Sequence, residues 1–238
     1  MTNVNTLIKG ANVLGIELNK DEIDSFILYK ELLKEWNQKI NITSITDDEE
    51  IDIKHFIDSI TPLSTDLFAE DVRMIDIGTG GGFPGIPLKI INRDMEVVLL
   101  DSLKKRITFL EDIIDKLALE KIFPIHGRAE ELGRDKNHRE KYDIAISRAV
   151  ASLNTLSEYC LPFVKVGGFF ISMKGPDVDE ELKEAEKSIK ILGGNLNDVK
   201  VVNLPLSDIT HSLIIIEKIK GTPTKYPRGG GKPKKKPL

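Results

Sequence analysis

The sequence predicts an α/β fold: a doubly wound parallel sheet, closed at one edge by an antiparallel hairpin and preceded by a small helical cap. Three observations carry the prediction. From Val72 to Gly175, short β-branched runs alternate with helical patterns, the order that lays helices on both faces of a parallel sheet. The first of these runs enters MIDIGTGGGFPG (74–85), which places five glycines within eight residues at a strand-to-helix turn. Near the end, VKVVNLPL (199–206) and SLIIIEKI (212–219) follow one another with no helix between them, so they pair antiparallel.

Residues 1–65 read as the helical cap. Asn19 with Glu22 three residues later forms a capping box, and Phe26, Tyr29, Leu33, Trp36 and Ile40 recur at three- and four-residue steps. After the polar break NITS, Thr46 with Glu49 offers a second capping box, and Ile53, Phe56, Ile57 and Ile60 give an apolar face that stops before Pro62. Residues 66–220 hold the sheet: strands at VRMIDIG, VVLLD (97–101), IFPIHG, YDIAISRAV (142–150) and GGFFISMKG (167–175), then the terminal hairpin. Helices lie between them at Pro84–Ile91, along Leu103, Ile107, Leu110, Ile114 and Leu117, and near 153–164, with a charged surface helix at 179–192. Residues 221–238 mix proline, glycine and lysine and read as an extended, largely unstructured basic arm.

Composition narrows the class. With 40% hydrophobic and 30% charged residues, the 238-residue chain has the balance of a soluble globular protein. Its longest uninterrupted apolar runs are four residues, far too short to span a bilayer. A single cysteine, Cys160, excludes an internal disulfide framework and suits a reducing compartment, and no secretory signal is visible, so the expected location is the cytoplasm. The net charge is −4, yet Leu213–Leu238 carries eight Lys or Arg and one acid, an asymmetry that points to a polyanion met at one end. His126, His138 and His211 lack ligand-like spacing, so no metal site is expected.

Three ligand classes use a glycine loop after a first strand. A phosphate-binding P-loop needs Lys and Ser or Thr where Ile86 and Pro87 stand. Gly80, Gly82 and Gly85 satisfy the dinucleotide pattern G-x-G-x-x-G, a weak match by itself that leaves an NAD-linked or nucleotide-binding protein as the alternative class. Asp76, two residues before Gly78, tilts the choice: a carboxylate there opposes a pyrophosphate but can pair with an ammonium. S-adenosylmethionine carries an ammonium, a sulfonium and no phosphate, so D-x-G-x-G-x-G (Asp76, Gly78, Gly80, Gly82) suits it better. Asp101, closing the second strand, is placed to accept from ribose hydroxyls; capping the next helix is its plainer reading. Arg148 ends the fourth strand, where open α/β sheets hold their ligands.

These residues fall in a set of motifs that closely resembles the bacterial ribosomal RNA small subunit methyltransferase G family, also called the glucose-inhibited division protein B family. The motifs are LLKEWNQKINIT (32–43), KHFIDSI (54–60), DIGTGGGFPGIPL (76–88), DSLKKRITFLE (101–111), GRAEEL (127–132), SRAVASL (147–153) and MKG (173–175). The resemblance implies a Rossmann-like class I methyltransferase that moves a methyl group from S-adenosylmethionine to N7 of a guanine near position 527, in the 530 loop of 16S ribosomal RNA. It implies cofactor contacts at Gly78, Phe83, Ala129, Glu130 and Arg148. Guanine N7 needs no deprotonation, so placement matters most, and the fork of Arg148 is expected to position cofactor and base. The partner is then 16S RNA or the 30S subunit, met by a monomer. RNA contacts are expected at His55 and Lys174 and, through the basic arm, at Lys225 and Arg228, with the cofactor site independent of that arm.

Overall fold

Why the amino-terminal segment forms helices is visible at its caps. The computed structural model describes residues 5–68, 71–148 and 151–238. Helix α1 (Asn5–Val13) leads into α2 (Lys20–Asn37), where Asn19 and Glu22 form the reciprocal capping box that the sequence predicts. The next helix starts one residue later than expected. Its N-cap is Asp47, whose carboxylate accepts the Glu49 and Glu50 amides, both at 3.0 Å, and places negative charge at the positive end of the helix. From there α3 (Asp48–Ile51) widens into a π-helical stretch, Asp52–Ile57, before α4 (Asp58–Ile60) and a 3₁₀ turn at Thr61–Ser64. A π stretch is rare and frequently marks a functional segment; this one carries Lys54 and His55.

The sheet follows. Strand β1 (Arg73–Ile77) runs through the glycine loop into α5 (Gly85–Ile91), β2 (Glu96–Asp101) into α6 (Lys104–Lys116), and β3 (Ile122–His126) into the short α7 (Ala129–Leu132). Then come β4 (Tyr142–Ser147), α8 (Leu153–Cys160), β5 (Val164–Lys174), α9 (Asp179–Leu192), β6 (Gly194–Asn203), β7 (Thr210–Lys218) and α10 (Lys232–Lys235). Ala149 and Val150 of the SRAVASL motif lie outside the described residues. The strand order is β3-β2-β1-β4-β5-β7-β6, with β1 to β5 parallel and β7 antiparallel to both β5 and β6. The expected hairpin therefore closes the sheet by inserting its second strand against β5.

Pleating divides the sheet into two cores. Met74, Val97 and Leu99 face one side, together with Phe26, Tyr29, Phe56 and Ile57 of the cap and Leu110 of α6. Ile75, Val98 and Leu100 face the other, together with Leu156, Phe163 and Ile189 from or near α8 and α9. The cap thus shares its core with one face of the sheet. Its most specific tie is Tyr29, fully buried, whose hydroxyl donates to the Gly81 carbonyl of the glycine loop. Tyr29→Phe leaves that carbonyl without its donor, so it is expected to lower unfolding free energy by about 1–3 kcal/mol, measured by urea denaturation.

The tail corrects the expectation of an unstructured arm. Residues 221–238 fold back as a strap across α8. Arg139 donates to the carbonyls of Thr222 (2.6 Å) and Tyr226 (2.9 Å), and Arg134 donates to that of Pro227 (2.8 Å). Arg228 grips both oxygens of the buried Glu158, at 2.9 Å from Nε to Oε1 and 2.6 Å from Nη2 to Oε2. Proline cannot donate, but its carbonyl still accepts, so arginines from the body organise a segment that has no regular ladder of its own.

Candidate active site

The glycine loop is held in shape from below. Asp76 is fully buried, and its Oδ2 accepts the Thr79 hydroxyl at 2.6 Å and the Gly85 amide at 2.9 Å. Burial pushes this carboxyl up to about 7. Its Oδ1 is buried with no hydrogen-bond donor among the described residues. Gly78, Gly80 and Gly82 all adopt positive φ (74°, 61° and 90°), which only glycine takes without strain. At Gly78 an added Cβ would meet nothing within 4 Å, so the backbone there is open to close approach.

Six of the loop's amides point inward. Gly78 and Thr79 donate to the Leu100 carbonyl, Gly82 and Phe83 to the Thr79 carbonyl, Gly80 to Asp101 Oδ2 (2.9 Å) and Gly85 to Asp76. A loop in this state is no phosphate cradle, whatever its glycine spacing.

Beside it lies an open cleft of about 550 Å³ at the carboxyl ends of β1, β2 and β3. It brings together Gly78, Asp101, Ala129 and Glu130, four of the residues expected from the sequence, with Tyr159 of α8 and the strap residue Lys234. Asp101 lines the cleft and braces the turn before α6: Oδ1 accepts the Leu103 amide at 2.8 Å, while Oδ2 accepts from Gly80 and from Arg106 (3.1 Å). The N-cap of α6 is Leu103, so Asp101 is not the helix cap its position suggested. Tyr159 carries no sequence signal, since it reads as one more residue of an amphipathic helix.

A second cluster sits at the other end of the same loop. Phe83 stacks on His55, with centroids 4.5 Å apart and planes 12° from parallel, and the Arg148 guanidinium lies 5.0 Å from the Phe83 ring centre. Arg148 Nη1 donates to Asp58 Oδ2 (2.7 Å) and to the Lys54 carbonyl (3.1 Å) in the π stretch. The far oxygen of Asp58 pairs with His211 Nδ1 at 2.7 Å, and His55 Nε2 meets Thr43 Oγ1 at 2.8 Å. Burial, then the neighbouring Arg148 charge, pushes His55 down to about 4. Against the cost of burial, His211 and Arg148 hold Asp58 below the usual carboxylate range, and Asp58 in turn raises His211. Asp58 and His211 were missed by sequence reasoning, because their partnership spans 153 residues.

Two expected RNA contacts are turned inward. Lys174 donates to the Ala151 carbonyl (2.6 Å) and Glu181 (2.7 Å), so it joins the end of β5 to the loop before α8 and to α9. Arg228 neutralises Glu158. Lys225 stays exposed, its ammonium 5.2 Å from the Tyr226 ring centre. Among the described residues no group of three His, Cys, Asp or Glu is placed to hold a metal ion, and no helix is long and apolar enough to cross a membrane.

A parallel sheet whose seventh strand inserts antiparallel, with an acid-anchored glycine loop opening on an acid-lined cleft, defines a class I methyltransferase. The chain belongs to the rRNA small subunit methyltransferase G family, whose sequence profile matches residues 22–210. Ribosomal RNA small subunit methyltransferase G of Alkaliphilus metalliredigens is 52% identical over 229 residues, covering 96% of each chain. That of Acetivibrio thermocellus is 55% identical over 234 residues, covering 98% of this chain and 95% of the other. Among solved structures, MtNAS in complex with MTA and tNA superposes with a TM-score of 0.55 at 15% identity, over 82% of this chain and 73% of that one. The Methanococcus jannaschii fibrillarin pre-rRNA processing protein does so with 0.50 at 20% identity, over 63% and 68%. At such identities the likeness concerns the fold alone.

Proposed function

We propose that this chain is a cytoplasmic monomer that transfers a methyl group from S-adenosylmethionine to N7 of a guanine in the 530 loop of 16S ribosomal RNA, free or in the 30S subunit. The observation that carries the reading is the inward turn of the loop amides: it removes the anion site a dinucleotide needs and leaves a cleft edged by Asp101 and Glu130. The residues fit the cofactor. Gly78 permits close backbone approach, Asp101 would offer a carboxylate to ribose hydroxyls, Ala129 and Glu130 line the same cleft, and beneath the loop Asp76 leaves one oxygen without a partner among the described residues. Gly80 and Gly82 hold the turn, and Phe83 links it to Arg148.

When bound, the cofactor supplies an electrophilic methyl group on a sulfonium. Guanine N7 carries a lone pair and no proton, so the protein has to orient and desolvate rather than remove a proton. Arg148, braced by Asp58 and the Lys54 carbonyl, fixes the stack in which Phe83 is buried between Tyr29 and His55, leaving the half-buried His55 ring as the part a base can meet. His55 is neutral at physiological pH and a weak base, so it serves by stacking. Of the three cations expected to meet RNA, Lys225 stays exposed and available to phosphate, while Lys174 and Arg228 are withdrawn from that role by their ion pairs.

Calorimetry with S-adenosylhomocysteine and with NADH tests the cofactor class, and tritiated methyl transfer to 30S subunits against free 16S RNA tests the substrate. Single-turnover rate should change by no more than about twofold between pH 6.5 and 8.5. A rise with an apparent pKa near neutrality that His55→Gln abolishes would show a general base and overturn this account. Sign follows from the depressed pKa of His55. Above pH 6.5 its contribution to stability is fully present; between 6.5 and about 4 the unfolded chain takes up the proton first, and stability falls.

A further inference from the structure

The strap does more than cover α8. Its first anchor is Arg228, whose backbone amide (2.7 Å) and guanidinium both hold Glu158. Its second is Pro233, buried, with its carbonyl 3.2 Å from Thr155 Oγ1. Between the anchors Gly231 turns through a left-handed conformation (φ 69°), and its N–H lies 3.2 Å from Oε1 of Glu130. Glu130 is a buried carboxylate in the cleft, and its ion-pair partner, Arg128, stands 4.0 Å away. The following turn, α10, brings Lys234 and Lys235 to the cleft edge.

We propose that residues 228–236 are part of the cofactor site: the strap forms one wall of the cleft, and the Gly231 amide orients Glu130 toward an adenosyl ligand. The inference rests on the methyltransferase reading and reverses the expectation that the tail serves RNA alone. Binding and tail order are then linked, and each strengthens the other.

Two variants separate the strap from the rest of the fold. Truncation after Gly229 keeps the Arg228–Glu158 pair. Gly231→Pro removes the donor and cannot adopt φ 69°, at a position where a Cβ meets nothing within 4 Å. By calorimetry both should bind S-adenosylhomocysteine about tenfold or more weakly, the loss expected for a hydrogen bond to a charged group. Gly231→Ala, which keeps the N–H but is strained at this positive φ, should lose less than Gly231→Pro. In the full chain, S-adenosylhomocysteine should slow trypsin cleavage after Lys234 and Lys235, the strap lysines not followed by proline. Thermal melting without ligand checks each fold; should the truncation melt, Gly231→Pro against Gly231→Ala decides. Affinity within twofold of the parent in folded variants overturns the proposal, including the case where only binding of a 16S RNA fragment weakens. A full chain that binds no S-adenosylhomocysteine overturns the methyltransferase reading and the strap with it.

Discussion

Arg148→Ala should slow single-turnover methyl transfer by at least about 100-fold, the scale of loss when a reacting group shifts by about 1 Å. Arg148 is the only described side chain that ties the end of β4 to both the π stretch and Phe83. Without it, the His55–Phe83 stack loses its cationic edge, and Asp58 keeps only His211 as a partner. Breaking a buried pair from one side costs about 3–5 kcal/mol, so rates belong at a temperature where urea unfolding shows the variant folded. Arg148→Lys retains the charge but not the fork that reaches Asp58 and the Lys54 carbonyl together, and should recover only part of the rate. Replacing any single histidine should cost less. A folded Arg148→Ala protein within tenfold of the parent rate would remove Arg148 from the mechanism.

Asp101→Ala should weaken S-adenosylhomocysteine binding by about 100-fold. Two effects add. The cleft loses its hydroxyl acceptor, and the loop loses the bonds that hold the Gly80 and Leu103 amides and the Arg106 guanidinium. A hydrogen bond to a charged group contributes about 1.5–3 kcal/mol, and tenfold in affinity corresponds to about 1.4. Asp101→Asn keeps one acceptor oxygen and should fall between parent and alanine. Calorimetry showing the alanine variant within threefold of the parent would confine Asp101 to bracing the loop.

Much of the architecture was legible because it is governed by local rules. The Asn19–Glu22 box, the alternation of Met74 and Ile75 or Val97 and Val98 between faces, and the glycines at positive φ are set by neighbours a few residues apart. The π stretch at Asp52–Ile57 was not legible: its residues have ordinary helical spacing, and the wider turn answers to what packs around it. Nor were the partners of Lys174 or Arg228, since a charge in a sequence does not announce which carboxylate it will meet.

By itself, then, the sequence determined the parallel sheet, the terminal hairpin, the glycine loop with its acid and the family to which the chain belongs. Each follows from periodicity, from backbone conformations open to glycine alone, or from residues at fixed short spacing. Tertiary structure alone decided the division of the site into a cleft and an Arg148 cluster, and the folding of the tail. The tail's carbonyls are satisfied by Arg134 and Arg139, its arginine by Glu158, and its Gly231 amide by Glu130, partners 70 to 101 residues away. Local composition reads such a segment as disordered because it contains no ladder of its own; donors brought in by the rest of the fold supply the missing bonds.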